Sequence, residues 1–356
     1  MQIPYTNKGF VDIPRVEKMT SATPFVFMIG IRQGAGKTYG LITHFVETGK
    51  KPIYVRRTKE EREKFGNAAL SPLQRIPAAR NIIGVNDKDI TYLYYKNADG
   101  SISDQLHGYV VDLGSVRKRG FSIIDFDTVF FDECIPDKNA GGKIDMQYGE
   151  TFYNFLITIL SNDYPTVDGH PKIWMVGNSD ALINGIFRIF GITRTVEKMI
   201  GENKLVYVSP QRCLSVLLVN APDNAKKRKR YPISIVAADS SLKSMALENR
   251  FGFDDTGVEQ KNLREFKALA SFTGDYESYT AWVHKNPYKP MLYITRGSFP
   301  AKHNMYNTKE SFASLLKETA FRSRLEFWSL VLKCTSGKNL FFDSMTSKQW
   351  FSNMRK

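Results

Sequence analysis

The chain has 356 residues, and its 50 Lys and Arg against 36 Asp and Glu give a formal net charge of +14. This length predicts two compact units, and the positive excess favours a polyanionic partner, with nucleic acid ahead of an anionic membrane surface. The 3 cysteines and 5 histidines lack metal-ligand spacing, and no apolar run approaches the ~20 residues that cross a bilayer, which argues against a disulfide framework, a zinc site and a membrane span.

The first predicted elements are a strand over 24–29, a glycine-rich loop and a helix. The run from Pro24 to Ile29 is continuously apolar, as in a parallel strand buried on both faces. Apolar residues then recur at helical spacing as far as Val46, and Gly49 is placed to end the helix.

The loop "IGIRQGAGKT" is predicted to bind the phosphates of a nucleotide. Lys37 would reach the β- and γ-phosphates, and the Thr38 hydroxyl would hold Mg²⁺. The spacing is a variant of GxxxxGK[ST], because Gly30 stands one residue upstream of the expected first glycine. An ordinary strand-to-helix turn is the alternative. The predicted nucleotide-binding residues of this loop are Gly30, Gln33, Gly34, Ala35, Gly36, Lys37 and Thr38.

Arg32 lies inside this loop. Its guanidinium would either contact the γ-phosphate or pair with Glu133 before hydrolysis, and a solvated arginine is the alternative. A predicted strand over 52–55 follows the helix, and "ITYLYYKNADGSISDQLHGYVVDL" predicts a hairpin that turns at Asp99-Gly100.

Two adjacent acids end the next predicted strand, in "DTVFFDECI". Asp132 would hold Mg²⁺ through the water shell of the metal, and Glu133 would orient the attacking water or accept its proton. A polar strand end followed by a turn is the alternative. The strand over 173–176 leads to Asn178, which would either sense the γ-phosphate or simply form a turn with the preceding glycine.

A final apolar run at 205–208 completes the predicted mainly parallel, doubly wound α/β sheet. The predicted domains are an ATPase domain over 1–220, a basic linker or lid over 221–257, and a small α+β domain over 258–356. Within the last, "YESYTAWVHKNPYKPMLYITRG" predicts paired strands, and 311–333 predicts an amphipathic helix.

Three basic runs point to DNA. No aromatic residue interrupts the longest run, which favours electrostatic contact with the duplex backbone over stacking on single strands, although a solvated face is the alternative. The predicted DNA contacts are Arg56, Lys59, Lys226, Lys227, Arg228, Lys229 and Arg230.

The order of these motifs resembles that of the DNA-packaging ATPases, or encapsidation proteins, of small podophages with protein-primed genomes (the picovirus group), which are relatives of the large terminases. The similarity runs through "IGIRQGAGKT", "IYVRRTK", "TVFFDECI", "WMVGNSDALINGIFRIF", "KKRKRYPI", "SMALENRFG" and "LFFDSM".

This resemblance implies a P-loop NTPase fold of the type with an additional strand and a catalytic glutamate, with ATP and Mg²⁺ as cofactors. It also implies a homomeric ring, expected to be a pentamer, that docks on the portal of an empty prohead and pulls in double-stranded DNA. In that group a structural RNA bridges motor and prohead. Such a protein would act in the host cytoplasm, transiently on the prohead, and would be absent from the mature virion.

The chain departs from the family pattern at two places. The segment "SNDYPTVDGHPK" carries no arginine, so Arg117, Lys118 and Arg119 become the candidates for a contact made in trans on a neighbouring subunit. The resemblance also implies an RNase H-like C-terminal domain. There we take "YTAWVHKNP" as the leading strand, and His284 and Lys285 stand where the first acid of a nuclease would be needed. We therefore expect a domain without nuclease activity that contacts DNA or the prohead.

Two other functions remain open at this point. The chain could be a ring helicase or similar DNA-dependent ATPase, or an adaptor that binds nucleotide and DNA without hydrolysis. Glu133 argues against the adaptor, because a carboxylate at that place serves hydrolysis and not binding.

Overall fold

The computed structural model describes residues 2–30, 35–116, 123, 125–135, 147–160, 171–178, 182, 184–219, 258–273, 278–286, 288, 290–297, 305–307, 330, 334 and 339–354. The chain divides into two compact units, Met1–Gly252 and Phe253–Lys356. This division falls inside 221–257, the stretch predicted as a linker, which itself lies outside the described residues. No helix in the described ranges is long and apolar enough to cross a membrane.

The first unit is built on a nine-stranded sheet. Its strands are β1 Phe25–Gly30, β2 Pro52–Arg56, β3 Ile82–Asp87, β4 Ile90–Lys96, β5 Ile102–Asp112, β6 Thr128–Phe131, β7 Lys172–Asn178, β8 Val206–Ser209 and β9 Leu214–Val219. They lie in the order β3-β4-β5-β2-β6-β7-β1-β9-β8. The six strands from β5 to β9 in this order are parallel, whereas β3, β4 and β8 pair antiparallel at the two edges. The predicted α/β class with a mainly parallel sheet is confirmed.

Helices cover this sheet. The α-helices are α1 Ile13–Met19, α2 Lys37–Glu47, α3 Lys59–Glu63, α4 Leu113–Val116, α5 Gln147–Leu160, α6 Gly185–Ile189 and α7 Thr193–Gly201, with short 3₁₀ turns at Lys64–Gly66, Pro72–Arg75, Pro77–Ala79 and Pro210–Arg212. Side-chain caps fix several helix starts, because each accepts a hydrogen bond from an otherwise unpaired backbone N–H. Asp12, Thr58 and Asn184 cap α1, α3 and α6 in this way.

Aromatic side chains fill both faces of the sheet. On one face, the Phe130 ring lies 5.8 Å from the rings of Phe45 and Tyr54. On the other, Phe131 lies 4.6 Å from Phe152 of α5. Strands buried on both sides explain why β1, β6 and β7 occur in the sequence as unbroken apolar runs.

The structure corrects the prediction for the run at 205–208. This run forms β8 Val206–Ser209, an antiparallel edge strand, and not a central parallel strand. The central position next to β1 belongs to β9 Leu214–Val219, which sequence reasoning did not identify and which is buried throughout. An apolar run indicates burial, but pairing partners decide which of two neighbouring runs becomes central.

The second unit contains a five-stranded sheet and a helix. Its elements are β10 Phe266–Thr273, β11 Ser278–His284, β12 Leu292–Arg296, β13 Met305–Asn307, β14 Leu340–Phe342 and α8 Met345–Met354, with a 3₁₀ turn at Leu263–Glu265. The order is β13-β10-β11-β12-β14. In it, β11 pairs antiparallel with both β10 and β12. The predicted strand pair is therefore present. The helix predicted over 311–333 lies outside the described residues except at Leu330.

This sheet corrects one further prediction. The segment "YTAWVHKNP" forms the second strand, β11, because β10 Phe266–Thr273 precedes it and pairs with it. His284 and Lys285 therefore do not occupy the leading strand. His284 Nε2 lies 3.8 Å from Glu265 Oε2, and Lys285 Nζ donates to the Arg264 carbonyl over 2.7 Å. Among the described residues, no three His, Cys, Asp or Glu side chains are grouped to hold a metal ion.

Candidate nucleotide site at the carboxyl edge of the sheet

Four parallel strands end side by side at one edge of the nine-stranded sheet. In their registers Gly30 of β1 pairs with Asn178 of β7, and Val55 of β2 pairs with Phe131 of β6. The residues that follow these positions must therefore lie close together. Ligands bind at this edge in open α/β sheets, since the loops and helix N-termini converge there.

The glycine that ends β1 is required by its neighbour on β9. A Cβ on Gly30 would lie 2.1 Å from the carbonyl oxygen of Val219. No side chain fits in that space, so the chain can leave β1 this close to β9 only as glycine. The loop ends at Gly36, which adopts a left-handed φ of 71° immediately before α2.

The first residue of α2 turns its charge back toward the loop. Lys37 is 6% exposed, and its Nζ donates to the Gly30 carbonyl over 3.3 Å. A buried ammonium needs anionic or carbonyl partners, because burial disfavours the charged form. Lys37 therefore holds its ammonium beside the carbonyl at the end of β1.

The next residue connects α2 to the acids after β6. The Thr38 hydroxyl donates to Asp132 Oδ1 over 3.0 Å, and Asp132 Oδ2 accepts from Arg56 Nη1 over 3.2 Å. A hydroxyl and a carboxylate are hard oxygen donors of the kind that Mg²⁺ prefers. The two residues predicted to hold Mg²⁺ are therefore within hydrogen-bonding distance of each other, and their chemistry fits that ion.

Glu133 stands in a strained backbone conformation beside them. Its φ is 53°, in the left-handed region that favours glycine, and its backbone N–H donates to Asp132 Oδ1 over 3.1 Å. The side chain is 51% exposed, so water can reach it. Its carboxylate accepts a hydrogen bond from Arg57 Nη2 over 3.3 Å.

Arg57 is a site residue that sequence reasoning missed. Besides Glu133, its Nη2 contacts Glu61 Oε1 over 3.3 Å, and its backbone N–H donates to Glu61 Oε2 over 3.0 Å. Burial, the largest influence, lowers the pKa of Arg57, but the surrounding acidic groups, led by Glu61, outweigh it and raise that pKa above its ordinary value. The guanidinium is therefore a permanent cation held between two carboxylates.

The register of β2 against β6 could have revealed the pairing of Arg57 with Glu133. Because Val55 lies level with Phe131, Arg56 and Arg57 come directly after it at the height where Asp132 and Glu133 come after β6. The predicted DNA contact Arg56 is thus directed toward Asp132, with its side chain only 17% exposed. Lys59, by contrast, is 61% exposed and lies 3.5 Å from Glu63.

Asn178 ends β7 next to the start of the loop. It is half-buried, and its register partner is Gly30. A polar amide is thus placed between the strand that leads into the loop and the strand that leads to the acids. Its contact with the γ-phosphate stays a prediction.

Several predicted site residues lie outside the described ranges. They are Arg32, Gln33 and Gly34 of the loop, Arg117, Lys118 and Arg119, and the basic run Lys226, Lys227, Arg228, Lys229 and Arg230. The predicted residues that the structure does bring to this edge are Gly30, Ala35, Gly36, Lys37, Thr38, Asp132, Glu133 and Asn178.

The chain matches known proteins over most of its length. The family model described as podovirus DNA encapsidation protein (Gp16) matches residues 14–320. The DNA packaging protein of Bacillus phage B103 is 23% identical over 287 residues, which are 79% of this chain and 80% of that protein.

Solved structures show the same fold. A chain of the bacteriophage Phi-29 viral genome packaging motor assembly superposes with a TM-score of 0.59 at 21% identity, covering 95% of this chain and 98% of that one. The Phi-28 gp11 DNA packaging motor gives a TM-score of 0.54 at 15% identity, covering 98% and 99%.

Proposed function

The chain belongs to the podovirus DNA encapsidation protein (Gp16) family, as the order of its motifs predicted, and on this premise we propose that it is the ATPase of a genome-packaging motor. It would hydrolyse ATP to translocate double-stranded DNA into a prohead. One observation carries the proposal: Thr38 and Asp132 meet over 3.0 Å at the sheet edge where Lys37 and Glu133 also lie. The position of β7 between β1 and β6 supports a P-loop NTPase with an additional strand.

Each residue of this edge would have a separate part in binding ATP. Lys37 would contact the β- and γ-phosphates, and the loop backbone would donate its N–H groups to them. Thr38 and Asp132 would hold Mg²⁺, which neutralises phosphate charge when it is bound. Asn178 would contact the γ-phosphate from the end of β7.

Glu133 would act on the attacking water. A carboxylate that is half-exposed and beside the phosphate site can accept a hydrogen bond, and then a proton, from that water. While Arg57 occupies this carboxylate, the water must compete with a guanidinium for it. Release of Glu133 by Arg57 would therefore favour hydrolysis, and Arg57 would keep Glu61 as its counter-charge.

The charge of the chain suits a DNA partner. A net charge of +14 and the run at 226–230 would attract the duplex backbone without reading its sequence. By family membership we propose a homomeric ring on the portal, with five subunits and a structural RNA at the prohead. Arg117, Lys118 and Arg119 remain the candidates for a contact with the nucleotide of the neighbouring subunit.

The second unit would contact DNA or the prohead without cutting nucleic acid. Three antiparallel strands, β10 to β12, with β13 parallel to β10, support an RNase H-like arrangement. Two-metal nucleases need clustered carboxylates. No group of three His, Cys, Asp or Glu side chains that could hold a metal ion occurs in the described part of this unit.

Protection of DNA inside a prohead tests the proposed function. Empty proheads, this protein, ATP and Mg²⁺ should protect added duplex from nuclease, and Lys37→Ala should abolish protection. Lys198→Ala is a matched control, since that lysine is 74% exposed on α7. Duplex that stays nuclease-sensitive with the unaltered protein, or packaging by Lys37→Ala, would contradict the proposal.

Two further measurements separate the alternatives. A helicase would displace one strand of a duplex, whereas a packaging motor would move along it without unwinding. An adaptor would bind ATP without releasing phosphate, and its behaviour would not change with Glu133→Gln.

A further inference from the structure

The amino-terminal segment is attached to the predicted phosphate loop. Residues 6–10 form a tight turn, in which the Thr6 N–H donates to the Phe10 carbonyl over 2.8 Å and the Phe10 N–H donates to Thr6 Oγ1 over 3.2 Å. Directly after the turn, the Val11 N–H donates to the Ala35 carbonyl over 3.0 Å. The turn therefore has a fixed place beside the loop.

Two glycines at the start of α2 create the space for this segment. A Cβ on Gly36 would lie 3.0 Å from Phe10 Cδ1, and a Cβ on Gly40 would lie 2.9 Å from Ile13 Cγ1. Positions 36 and 40 are one helical turn apart, so they share a face. The Phe10 ring lies against the backbone at the residue where the loop becomes α2.

This ring remains partly open to solvent. Phe10 is 39% exposed, although one side of it contacts the loop, and Tyr39 next to Thr38 is 50% exposed. A large ring beside a ligand site gains free energy by stacking on a flat partner that excludes water. Thr38 is directed toward Asp132, so the metal and γ-phosphate side of the loop is already occupied by polar groups. Phe10 lies in the segment that precedes β1, beside Gly36, and its exposed face offers an apolar surface there.

We propose that Phe10 is the platform on which the base of the nucleoside triphosphate stacks. This inference rests on the proposed ATPase function and adds a contact to it. Base stacking on an aromatic ring needs a face, so tryptophan can replace phenylalanine, whereas leucine can fill the space against Gly36 but cannot stack.

Comparing ATP with inorganic tripolyphosphate tests the stacking directly, because only ATP carries a base. Binding of both ligands in Mg²⁺ would be measured for the unaltered chain, Phe10→Leu and Phe10→Trp. Phe10→Leu should weaken ATP binding roughly tenfold and leave tripolyphosphate binding unchanged. Phe10→Trp should restore ATP binding, and the fluorescence of the added tryptophan should change with ATP but not with tripolyphosphate.

Three outcomes would overturn the inference. ATP binding that Phe10→Leu leaves unchanged would show that the ring does not touch the base. Equal losses for ATP and tripolyphosphate would show that Phe10 only supports the loop. A base-specific loss in Tyr39→Ala, without one in Phe10→Leu, would assign the platform to Tyr39. Failure of the proposed function is distinguishable, because an unaltered chain without the nucleotide site would bind neither ligand, and an adaptor would bind ATP without releasing phosphate.

Discussion

Arg57 donates a hydrogen bond from Nη2 to Oε2 of Glu133 over 3.3 Å, and this bond joins the end of β2 to the end of β6. The same nitrogen lies 3.3 Å from Glu61 Oε1. The carboxylate predicted to activate water is therefore already engaged by a cation that has a second acidic partner. Under the proposed function, this bond would make Arg57 a restraint on hydrolysis.

Replacing Arg57 should raise the basal rate of hydrolysis. In Arg57→Gln no guanidinium holds Glu133, so basal phosphate release should rise about 1.4- to 5-fold, the equivalent of a partly exposed ion pair. Glu202→Gln at the end of α7 serves as the control, because its side chain is 50% exposed and pairs with Lys198. An unchanged rate would show that the bond between Arg57 and Glu133 does not restrain hydrolysis.

Glu133→Gln should remove hydrolysis and keep nucleotide binding. The amide has nearly the same shape but cannot accept a proton, so we expect phosphate release to slow by about 10²- to 10⁴-fold while the Kd for ATP stays the same. Single-turnover phosphate release and equilibrium ATP binding measure the two quantities. Hydrolysis that continues at the original rate would refute the role of Glu133.

Thr38 should govern the requirement for Mg²⁺. Thr38→Val keeps the volume and loses the hydroxyl that bonds Asp132, so the Mg²⁺ concentration for half-maximal hydrolysis should rise. Thr38→Ser keeps the hydroxyl, so its Mg²⁺ concentration for half-maximal hydrolysis should stay close to that of the unaltered chain. A titration in which both variants behave alike would remove Thr38 from the metal site.

His107 should make the first unit less stable in acid. Its Nε2 lies 3.1 Å from the Tyr54 hydroxyl and its Nδ1 lies 3.2 Å from the Tyr95 hydroxyl, so the neutral ring can donate to one and accept from the other. Burial lowers the pKa of His107 from 6.5 to about 4. Between pH 6.5 and about pH 4, His107 binds a proton in the unfolded chain but not in the folded chain, so the free energy of unfolding falls as pH decreases through this range.

The loss of stability attributable to His107 is at most about 3 kcal/mol by pH 4. Denaturant unfolding at pH 7 and pH 4.5 measures it, and His107→Gln should show a smaller difference between the two pH values, because glutamine keeps a donor and an acceptor without titrating. An equal difference in both proteins would mean that other groups cause the acid sensitivity.

The basic run at 226–230 should set the salt dependence of DNA binding. Replacing its five lysines and arginines by glutamine should lower the slope of log K against log salt by about 0.9 for each DNA phosphate that the chain no longer neutralises. Duplex titrations at several salt concentrations give that slope. An unchanged slope would mean that this run is a solvated surface that does not contact DNA.

The sequence was sufficient for those parts of the fold in which local pattern and tertiary position agree. β1, α2 and the hairpin of β4 and β5 follow from apolar runs, glycines and a turn at 99–100. β9 was missed because the shorter run before it is also apolar, and only the pairing with β1 makes β9 central. A single amino-acid sequence does not show which strands pair with each other.

The candidate site shows the same difference between residues that a local motif predicts and residues that only strand pairing brings together. Lys37, Thr38, Asp132 and Glu133 belong to contiguous motifs, so their types and order were enough to predict that they lie at one edge of the sheet. Arg57 belongs to no motif of this kind, and a run of basic residues in a sequence usually indicates a solvent-exposed surface. Its place beside Glu133 becomes apparent only when the register of β2 against β6 is known.

The absence of a side chain at Gly30 also has a mechanical consequence. Val219, whose carbonyl a Cβ on Gly30 would strike at 2.1 Å, is the last residue of β9, the final strand of the first unit's sheet before the chain continues toward the second. Two backbones meet there with no side chain between them. Under the proposed function, a displacement of Gly30 on loading or release of phosphate would press directly on the last peptide of β9.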